Sequence, residues 1–586
     1  MHLLYHDTVA APPATQTIGP FLKSVRIAYF SMEIALRPEM HTYSGGLGVL
    51  AGDTARSCAD LGLPVVFVTL VSRLGYLRQS LDAEGRQLEH PDPWNPADFA
   101  APLRAKVAVL LEGREVWVKP WLHVLSSPIG SRVPVLLLDT DLDENAPEDR
   151  SITDRLYGPG ADYRLRQEAV LGIGGLRILQ ALGFEVRMYH LNEGHAALLA
   201  LDLLRRYPRQ RDQIGHGGLN YRLTPVRAAC VFTTHTPVEA GHDRFDYGLF
   251  ERVLPGYLDT DQVRRVAGDD ALNMTRLALN LSGFVNGVAR RHAETTTQMF
   301  PGYDIRAITN GVHLPTWAHP AMRSLFDEHL PGWALEPEMM VRADQLPAQR
   351  VADAHRHAKV DLIAEVRRRT GVALDPTLPL LGFARRMTAY KRPDLLFTDL
   401  QRLRDIHARL PFQVVIAGKA HPSDEPGREL IRRIQEHARA LAPGPTVVFV
   451  PDYETALAGF LVSGADVWLN TPTPPLEASG TSGMKAALNG VLNLSVLDGW
   501  WLEACIEGVT GWAIGHDGNG HGRHAEGAAA ARADDLYDKL EQVVLPLYHH
   551  DPERWGWMMR QAIAKVASYF NTQRMMRRYA AEAYLR

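Results

Sequence analysis

The chain has 586 residues, too many for one hydrophobic core, so two α/β-sized domains and a terminal extension are expected. A formal charge of −4 gives no electrostatic reason for nucleic acid or an anionic membrane as partner. Three widely spaced cysteines, Cys58, Cys230 and Cys505, argue against a disulfide framework or a zinc site and suit a reducing compartment.

Residues 1–25 lack a basic start followed by an apolar core. No apolar run is long enough to span a bilayer either, so a cytoplasmic location is expected. Residues 25–30 read as a first strand, followed at once by Ser31-Met32-Glu33. The glycine-rich loop Tyr43-Ser44-Gly45-Gly46-Leu47-Gly48 then feeds a helix ending near Leu61, and a strand over 64–70 completes a β-loop-α-β unit. Glycines at such a place let backbone amides approach a phosphate, although the same pattern also serves plain tight turns. Short β-prone runs at 107–111, 116–118 and 133–138 predict an inserted sheet.

Alternation becomes clear farther on, with a helix over 163–182, a strand over 186–191, a helix over 196–207 and a strand over 228–233. Two polar clusters, Asn192-Glu193-Gly194-His195 and His235-Thr236-Pro237, fall just past strand ends, where open α/β sheets bind ligands. Histidines in such places are more often structural than catalytic, so His195 and His235 stand as candidates only.

From 318 to 376, helices broken by proline and polar residues predict a crossover between domains. Strands at 379–383, 413–417, 447–450, 467–470 and 491–496 then alternate with helices at 393–410, 427–441 and 454–463. Such strict alternation predicts a parallel sheet covered on both faces. Trp500, Trp501 and Trp512 are expected in the core rather than against a sugar. The run His516 to His524 has no repeating ligand spacing and reads as a surface loop, so no metal site is expected. Residues 526–533 are a low-complexity stretch, and 551–586 form a helical ending.

Two segments of the second half carry chemistry. Ala384-Arg385-Arg386-Met387-Thr388-Ala389-Tyr390-Lys391-Arg392-Pro393 sets four basic residues at a strand's carboxyl end. They would repel one another unless an anion lay between them. Arginine offers two-point hydrogen bonds to phosphate and lysine adds a compact charge; the bland alternative is a solvated basic turn. The other segment, Leu476 to Gly490, is a Gly/Ser/Thr turn opening a short helix with Lys485 one turn in. Unpaired amides at a helix start receive anions. An amine in an apolar setting loses its proton more easily than one in water, which suits a Schiff base with an aldehyde cofactor.

Glu477-Ala478-Ser479-Gly480-Thr481-Ser482-Gly483-Met484-Lys485, with Leu488-Asn489-Gly490 after it, closely resembles the pyridoxal-phosphate segment of the α-glucan (glycogen, starch, maltodextrin) phosphorylases. Further likenesses are Phe30-Ser31-Met32-Glu33 with its glycine loop, the two histidine clusters, Val285 to His292, Thr309-Asn310-Gly311-Val312-His313-Leu314-Pro315-Thr316-Trp317 and the basic segment. Together they run from about Tyr29 to Leu497.

The resemblance implies pyridoxal 5'-phosphate on Lys485, with Gly45, Gly46, Trp317, Thr481, Ser482, Gly483, Lys391 and Tyr453 beside it. By the same resemblance Arg386 and Lys391 hold phosphate, with Arg385 where the family has lysine. His235, Asn310, Tyr390, Glu477, Ser479, Gly480 and, more weakly, His195 meet the glucosyl unit. This chain has Ser482-Gly483 where the family more often has Gly-Asn, and Glu454 where it tends to have a basic residue.

The implied fold is GT-B: two Rossmann-like doubly wound domains facing across a cleft, with C-terminal helices crossing back to the first. The expected bounds are 1–325 and 377–550 for the two domains, 326–376 for the crossover and 551–586 for the closing helices. The implied partners are glycogen or maltodextrin, inorganic phosphate and glucose-1-phosphate, and a homodimer is compatible with the resemblance. No carboxylate pair at glycosidase spacing and no Asp-x-Asp metal motif stands out. The basic segment also resembles glycogen synthases, so a nucleotide-sugar glucosyltransferase and an inactive glucan-binding protein remain as alternatives.

Overall fold

The computed structural model describes residues 15–210, 218–238, 241–515 and 525–585; the run His516 to His524 lies outside them. The chain forms two compact units. Unit 1 takes in Leu77–His90 and Thr309–Arg574, and unit 2 takes in the described residues up to Tyr76, Pro91–Ile308 and Met575 onward.

Strands are numbered along the chain. Through residue 307 they are β1 Ile27–Ser31, β2 Val65–Leu70, β3 Arg78–Leu81, β4 Gln87–His90, β5 Ala101–Pro102, β6 Val107–Leu111, β7 Arg114–Ser126, β8 Arg132–Asp139, β9 Met188–Asn192, β10 Cys230–Thr233, β11 Arg244–Phe245, β12 Leu272–Asn273, β13 Phe284–Gly287 and β14 Ile305–Ala307. Unit 2 is built on the sheet β14-β13-β10-β9-β1-β2-β8-β7-β5, with β6 paired to β7. From β14 to β8 every neighbour is parallel, whereas β7 joins β8, β5 and β6 in antiparallel fashion.

Successive residues of β1 point to opposite faces, as the pleat requires. Ala28 and Phe30 join the core beneath helix 161–182, while Ile27 and Tyr29 join the core beneath Gly46–Asp60 and the closing helix with Met575, Met576 and Tyr579. The β-prone runs of the 75–150 stretch do not make a sheet of their own. β6, β7 and β8 extend the edge of the main sheet, because β8 is buried along seven of its eight residues and pairs with β2.

Unit 1 adds β15 Leu380–Ala384, β16 Gln413–Ala417, β17 Thr446–Val450, β18 Val467–Asn470, β19 Leu492–Val496 and β20 Gly511–Ile514. They form one parallel sheet in the order β17-β16-β15-β18-β19-β20. Every residue of β15, β16, β18 and β19 is buried, which a parallel sheet achieves when helices cover both faces. Trp500, Trp501 and Trp512 are buried as expected.

One expected helix is cut short. The 393–410 pattern becomes helical only at Leu400–Arg409, capped by Asp399, because Arg392 takes a left-handed φ of 44° and a tight turn at Leu395–Phe397 intervenes. The helices Tyr247–Val253, Thr260–Ala267, Met274–Leu281 and Arg290–Met299, hairpin β3–β4 and strands β13, β14 and β20 are not read from the sequence.

Numbered in chain order, the parallel strands of unit 1 follow the order 3-2-1-4-5-6 of doubly wound sheets, and those of unit 2 follow the same order with a seventh strand, β14, added after the sixth. In such sheets ligands lie outside the carboxyl ends of the strands where the winding direction changes. That point falls between β15 and β18 in unit 1 and between β1 and β9 in unit 2.

Candidate functional site

In unit 1, Arg385 leaves β15 and Glu477 follows β18, so both stand at the reversal point. Arg385 Nη2 lies 2.5 Å from Glu477 Oε2, and Lys391 Nζ lies 2.8 and 2.7 Å from Glu477 Oε1 and Oε2. The three side chains are only 10–12% exposed. Burial alone would raise the Glu477 carboxyl, but the charges of Arg385 and Lys391 outweigh it and hold the pKa at about 2. The anion demanded between the cations is therefore supplied by the protein itself. It balances one positive charge of two. Among the described residues, Arg385 Nε and Nη1 are buried without a hydrogen-bond partner, so the guanidinium keeps donors in reserve.

Around this triad the loop is pinned. Arg392 donates to the carbonyls of Thr471 and Pro472 at 2.8 and 2.7 Å, and burial lowers its pKa to about 10. Thr473 N donates to Tyr390 O at 2.8 Å, and the Tyr390 ring lies 4.6 Å from Lys391 Nζ. Arg386, the next residue, is exposed. Tyr453 follows β17; burial pushes its hydroxyl pKa well up, and the charge of Arg385 acts in the opposite direction. The charge of Glu454 adds to the rise at Tyr453, while its carboxylate is tied elsewhere. It accepts from the amides of Ala456 and Leu457 at the start of Thr455–Gly464 and pairs with Arg369 at 2.8 Å.

Lys485 sits on the helix Ser482–Leu488 and is only 6% exposed. Its Nζ lies 3.7 Å from the ring centroid of Trp317, close enough for the aromatic face to stabilise positive charge. Asn489 fixes this pair, donating to Trp317 O and Lys485 O at 2.9 Å each and accepting from His319 N at 2.8 Å.

Glycine is required twice in the turn before the helix. Gly480 has φ 78°, and a Cβ at Gly483 would stand 2.4 Å from Asn493 Oδ1 and 2.7 Å from the Trp500 ring. Ser479 is buried and accepts from Trp500 N at 2.9 Å, Thr481 makes no side-chain cap, and Ser482 Oγ accepts from Trp468 Nε1 at 3.0 Å. Asn310, also in unit 1, has a buried Oδ1 without a partner among the described residues, while its carbonyl accepts from Arg574 at 3.1 Å.

In unit 2 the reversal point is acidic. Glu33, just past β1 and fully buried, accepts through Oε2 from Ser44 N (2.6 Å), Gly45 N (3.0 Å) and Ser44 Oγ (3.1 Å), and through Oε1 from Tyr157 (2.9 Å). Gly48 presses on this carboxylate, since a Cβ there would be 2.7 Å from Glu33 Oε2. Gly46 has nothing within 4 Å of its Cβ position, so packing does not account for a glycine there.

Past β9, Glu193 takes a left-handed φ of 73° and accepts from His235 N at 2.7 Å, Thr236 Oγ1 at 3.1 Å and Gly194 N at 3.3 Å. Burial pushes its carboxyl up to about 7 in spite of these bonds. The His235 ring bonds Asn192 Oδ1 at 2.7 Å, and burial drives its pKa down to about 3, which keeps it neutral. His195, lowered to about 4 by burial, lies 3.4 Å from Asp243 and edge-on to Tyr157.

Within unit 1 the sequence-derived residues thus gather as Arg385, Tyr390, Lys391, Tyr453 and Glu477, with Lys485 and Trp317 paired and residues 479–483 connecting Glu477 to Lys485. Within unit 2, Gly45, Gly46, His195 and His235 share one strand-end region. Sequence reasoning gave no role to Glu33 and Asn489, and it grouped Arg392 with the anion-facing cations although its guanidinium is bonded to the Thr471 and Pro472 carbonyls; for Glu33, its place directly after the first strand was the available signal.

A doubly wound α/β protein with a buried cation pair and a buried lysine at one reversal point belongs to the class that handles anionic groups. The carbohydrate phosphorylase family matches residues 259–509. The maltodextrin phosphorylase of Thermococcus litoralis is 36% identical, over 95% of this chain and 70% of its own length. The glycogen phosphorylase of Aquifex aeolicus is 34% identical, over 100% and 87%. That of Mycobacterium tuberculosis is 36% identical, over 95% and 70%. This chain belongs to the carbohydrate phosphorylase family and is a glycosyl-transferring enzyme. Among the described residues no helix is long and apolar enough to cross a membrane, and no cluster of three or more His, Cys, Asp or Glu side chains is placed to hold a metal.

Proposed function

We propose that this enzyme carries out the reversible phosphorolysis of the non-reducing-end glucosyl unit of an α-1,4-glucan, glycogen or maltodextrin, to α-glucose-1-phosphate with retention. The observation that carries the reading is the buried Arg385–Glu477–Lys391 triad with unspent guanidinium donors, in the same unit as a buried Lys485 against Trp317.

The residues present fit pyridoxal 5'-phosphate. Lys485 offers a buried amine against the aromatic face of Trp317. Lys485 would hold the group, with Trp317, Thr481, Ser482, Gly483, Tyr453, Lys391, Gly45 and Gly46 around it. When bound, it supplies a phosphate whose second pKa of about 6 permits proton exchange near neutral pH.

Arg385, Arg386 and Lys391 hold inorganic phosphate, and Glu477 keeps Arg385 and Lys391 from repelling each other. His235, neutral at working pH, orients the glucosyl unit with Asn310, Tyr390, Ser479, Gly480 and Glu477; His195 supports that wall through Asp243. The bound phosphate gives its proton to the glycosidic oxygen as the C1–O bond breaks. One of its oxygens then bonds C1 from the face just vacated, leaving a shortened glucan and glucose-1-phosphate.

The proposal includes the GT-B arrangement, with domains at 1–325 and 377–550, a crossover at 326–376 and the 551–586 helices returning to the first domain. It also includes a cytoplasmic location, a homodimer, and no nucleic-acid or membrane partner. The test is phosphate-dependent release of glucose-1-phosphate from maltodextrin and glycogen, with and without added pyridoxal 5'-phosphate. No release in the presence of both phosphate and cofactor overturns it.

A further inference from the structure

The hairpin β3–β4 belongs to unit 1, although its chain neighbours Tyr76 and Pro91 belong to unit 2. It carries two buried glutamines, Gln79 and Gln87, 3% and 0% exposed. Neither side chain has an unmet polar atom. Gln79 Oε1 accepts from Asp452 N at 2.8 Å, and Gln79 Nε2 donates to Gly418 O at 2.9 Å and to Gln87 Oε1 at 2.8 Å. Gln87 Oε1 accepts also from Ala420 N at 3.0 Å, while its Nε2 donates to Ala420 O and to Glu89, each at 2.9 Å. The Gln79 amide adds a bond to Asp452 Oδ1 at 2.9 Å. Lys419 Nζ closes the network, reaching Leu77 O at 2.9 Å and Asp452 Oδ1 at 2.8 Å.

These contacts fall on two strand-end loops, Gly418 to Ala420 after β16 and Asp452 after β17. The first loop lies directly on the basic segment. Arg385 N donates to Ala417 O at 3.2 Å, Met387 N donates to Lys419 O at 3.0 Å, and a Cβ at Gly418 would stand 2.2 Å from Arg385 O. The second loop holds Asp452 at φ 60° immediately before Tyr453, whose hydroxyl feels the charge of Arg385. Mere attachment of a hairpin needs only apolar contact. A buried polar network with every member satisfied instead selects one backbone geometry, because any shift leaves a donor or acceptor unpaired.

We propose that Gln79 and Gln87 are positioning residues for phosphate: through the 418–420 and 452 loops they set the placement of Arg385 and Tyr453. This rests on the reading of Arg385 as a phosphate ligand. Among the described residues Ser479, Gly480 and Asn310 share no hydrogen bond with the network, and Glu477, which meets it through Arg385, is held independently by Lys391 and by its own amide on Asp498, so loss of the network falls on phosphate first.

The experiment measures KM for phosphate and for maltodextrin, kcat and the melting temperature in the full-length holoenzyme, for wild type, Gln79→Ala and Gln87→Ala. Leu88→Ala, an exposed residue of the same strand outside the network, serves as the control. The expected result for the two glutamine variants is a KM for phosphate raised about tenfold, with KM for maltodextrin and kcat within about twofold of wild type. Leu88→Ala stays near wild type. If Gln79→Ala does not fold, Gln87→Glu, which keeps the shape but loses the donor to Ala420 O, is judged by the same criterion. An active wild type whose variants keep their phosphate KM, or raise both KM values together as the melting temperature falls, overturns the proposal alone. A wild type without phosphate-dependent release removes the reading beneath it.

Discussion

The reversal points of the two units use the same strand order for opposite electrostatic ends. In unit 1, Arg385 and Lys391 share one carboxylate, and guanidinium donors remain unspent. In unit 2, Glu33 and Glu193 are each saturated by backbone and hydroxyl donors, and the imidazoles of His190, His195 and His235 are held neutral by burial. The lesson is that topology places a site but residue charge decides its task. The unit 1 end keeps buried guanidinium donors uncommitted, whereas at the unit 2 end the donors around Glu33 and Glu193 are already committed.

The contrast is broken most severely at Lys485. Lys485→Ala is expected to lower phosphorolysis by about 10³-fold or more and to abolish the pyridoxyl adduct that borohydride treatment and peptide mapping otherwise find at residue 485. An adduct at another lysine would move the anchor elsewhere. Lys391→Ala comes next, with kcat/KM for phosphate down about 10²-fold, because it removes a cation from the anion end and leaves Arg385 neutralised by Glu477. Unchanged phosphate kinetics would show that the pair is structural only.

The pH dependence of stability separates the units further. Glu477, depressed to about 2, contributes stability that is present above the ordinary carboxyl pKa of 4.5 and is lost as pH falls toward 2. Glu193 has the opposite sign: raised to about 7, it contributes stability present below 4.5 and lost as pH rises through 7. The neutral histidines, lowered from 6.5 to about 3 or 4, lose their contribution as pH falls below 6.5. Between 4.5 and 6.5 the Glu193 and histidine slopes therefore oppose each other. Melting curves of Glu193→Gln are expected to show a steeper acid-side loss than wild type in that window; a parallel displacement of the two curves would contradict the assignment.

The smallest effect is expected in the glycine loop. Gly46→Ala leaves the melting temperature of the cofactor-free protein unchanged within about 0.5 kcal/mol of stability. Gly52→Ala, whose Cβ would lie 2.0 Å from Ala35 O, destabilises it strongly. Equal losses at both positions would mean that Gly46 is packed after all.

Much of this was legible before the structure. The buried runs 413–417 and 467–470 are apolar except for Gln413 and Asn470 at their ends, and both became strands with those bounds. Lys485 and the basic segment stood out because short runs of unusual residues lie beside strand ends. Glu477 was visible as a residue but not as the partner of Arg385 and Lys391, since 92 and 86 positions separate them and only the sheet order brings them together. Asn489 reads as a helix-end asparagine, and its bond to Trp317 spans 172 positions.

Local patterning by itself determined the α/β class, most parallel strands and the clustering of basic residues at a strand end of the second half, because periodicity and turn chemistry are properties of neighbours along the chain. What only the tertiary structure decided was charge bookkeeping: which carboxylate quiets which cation, which donors are already spent, and that hairpin β3–β4 packs with unit 1. Those outcomes depend on burial and on distances between residues remote in sequence, where the loss of solvent makes every unpaired polar atom costly.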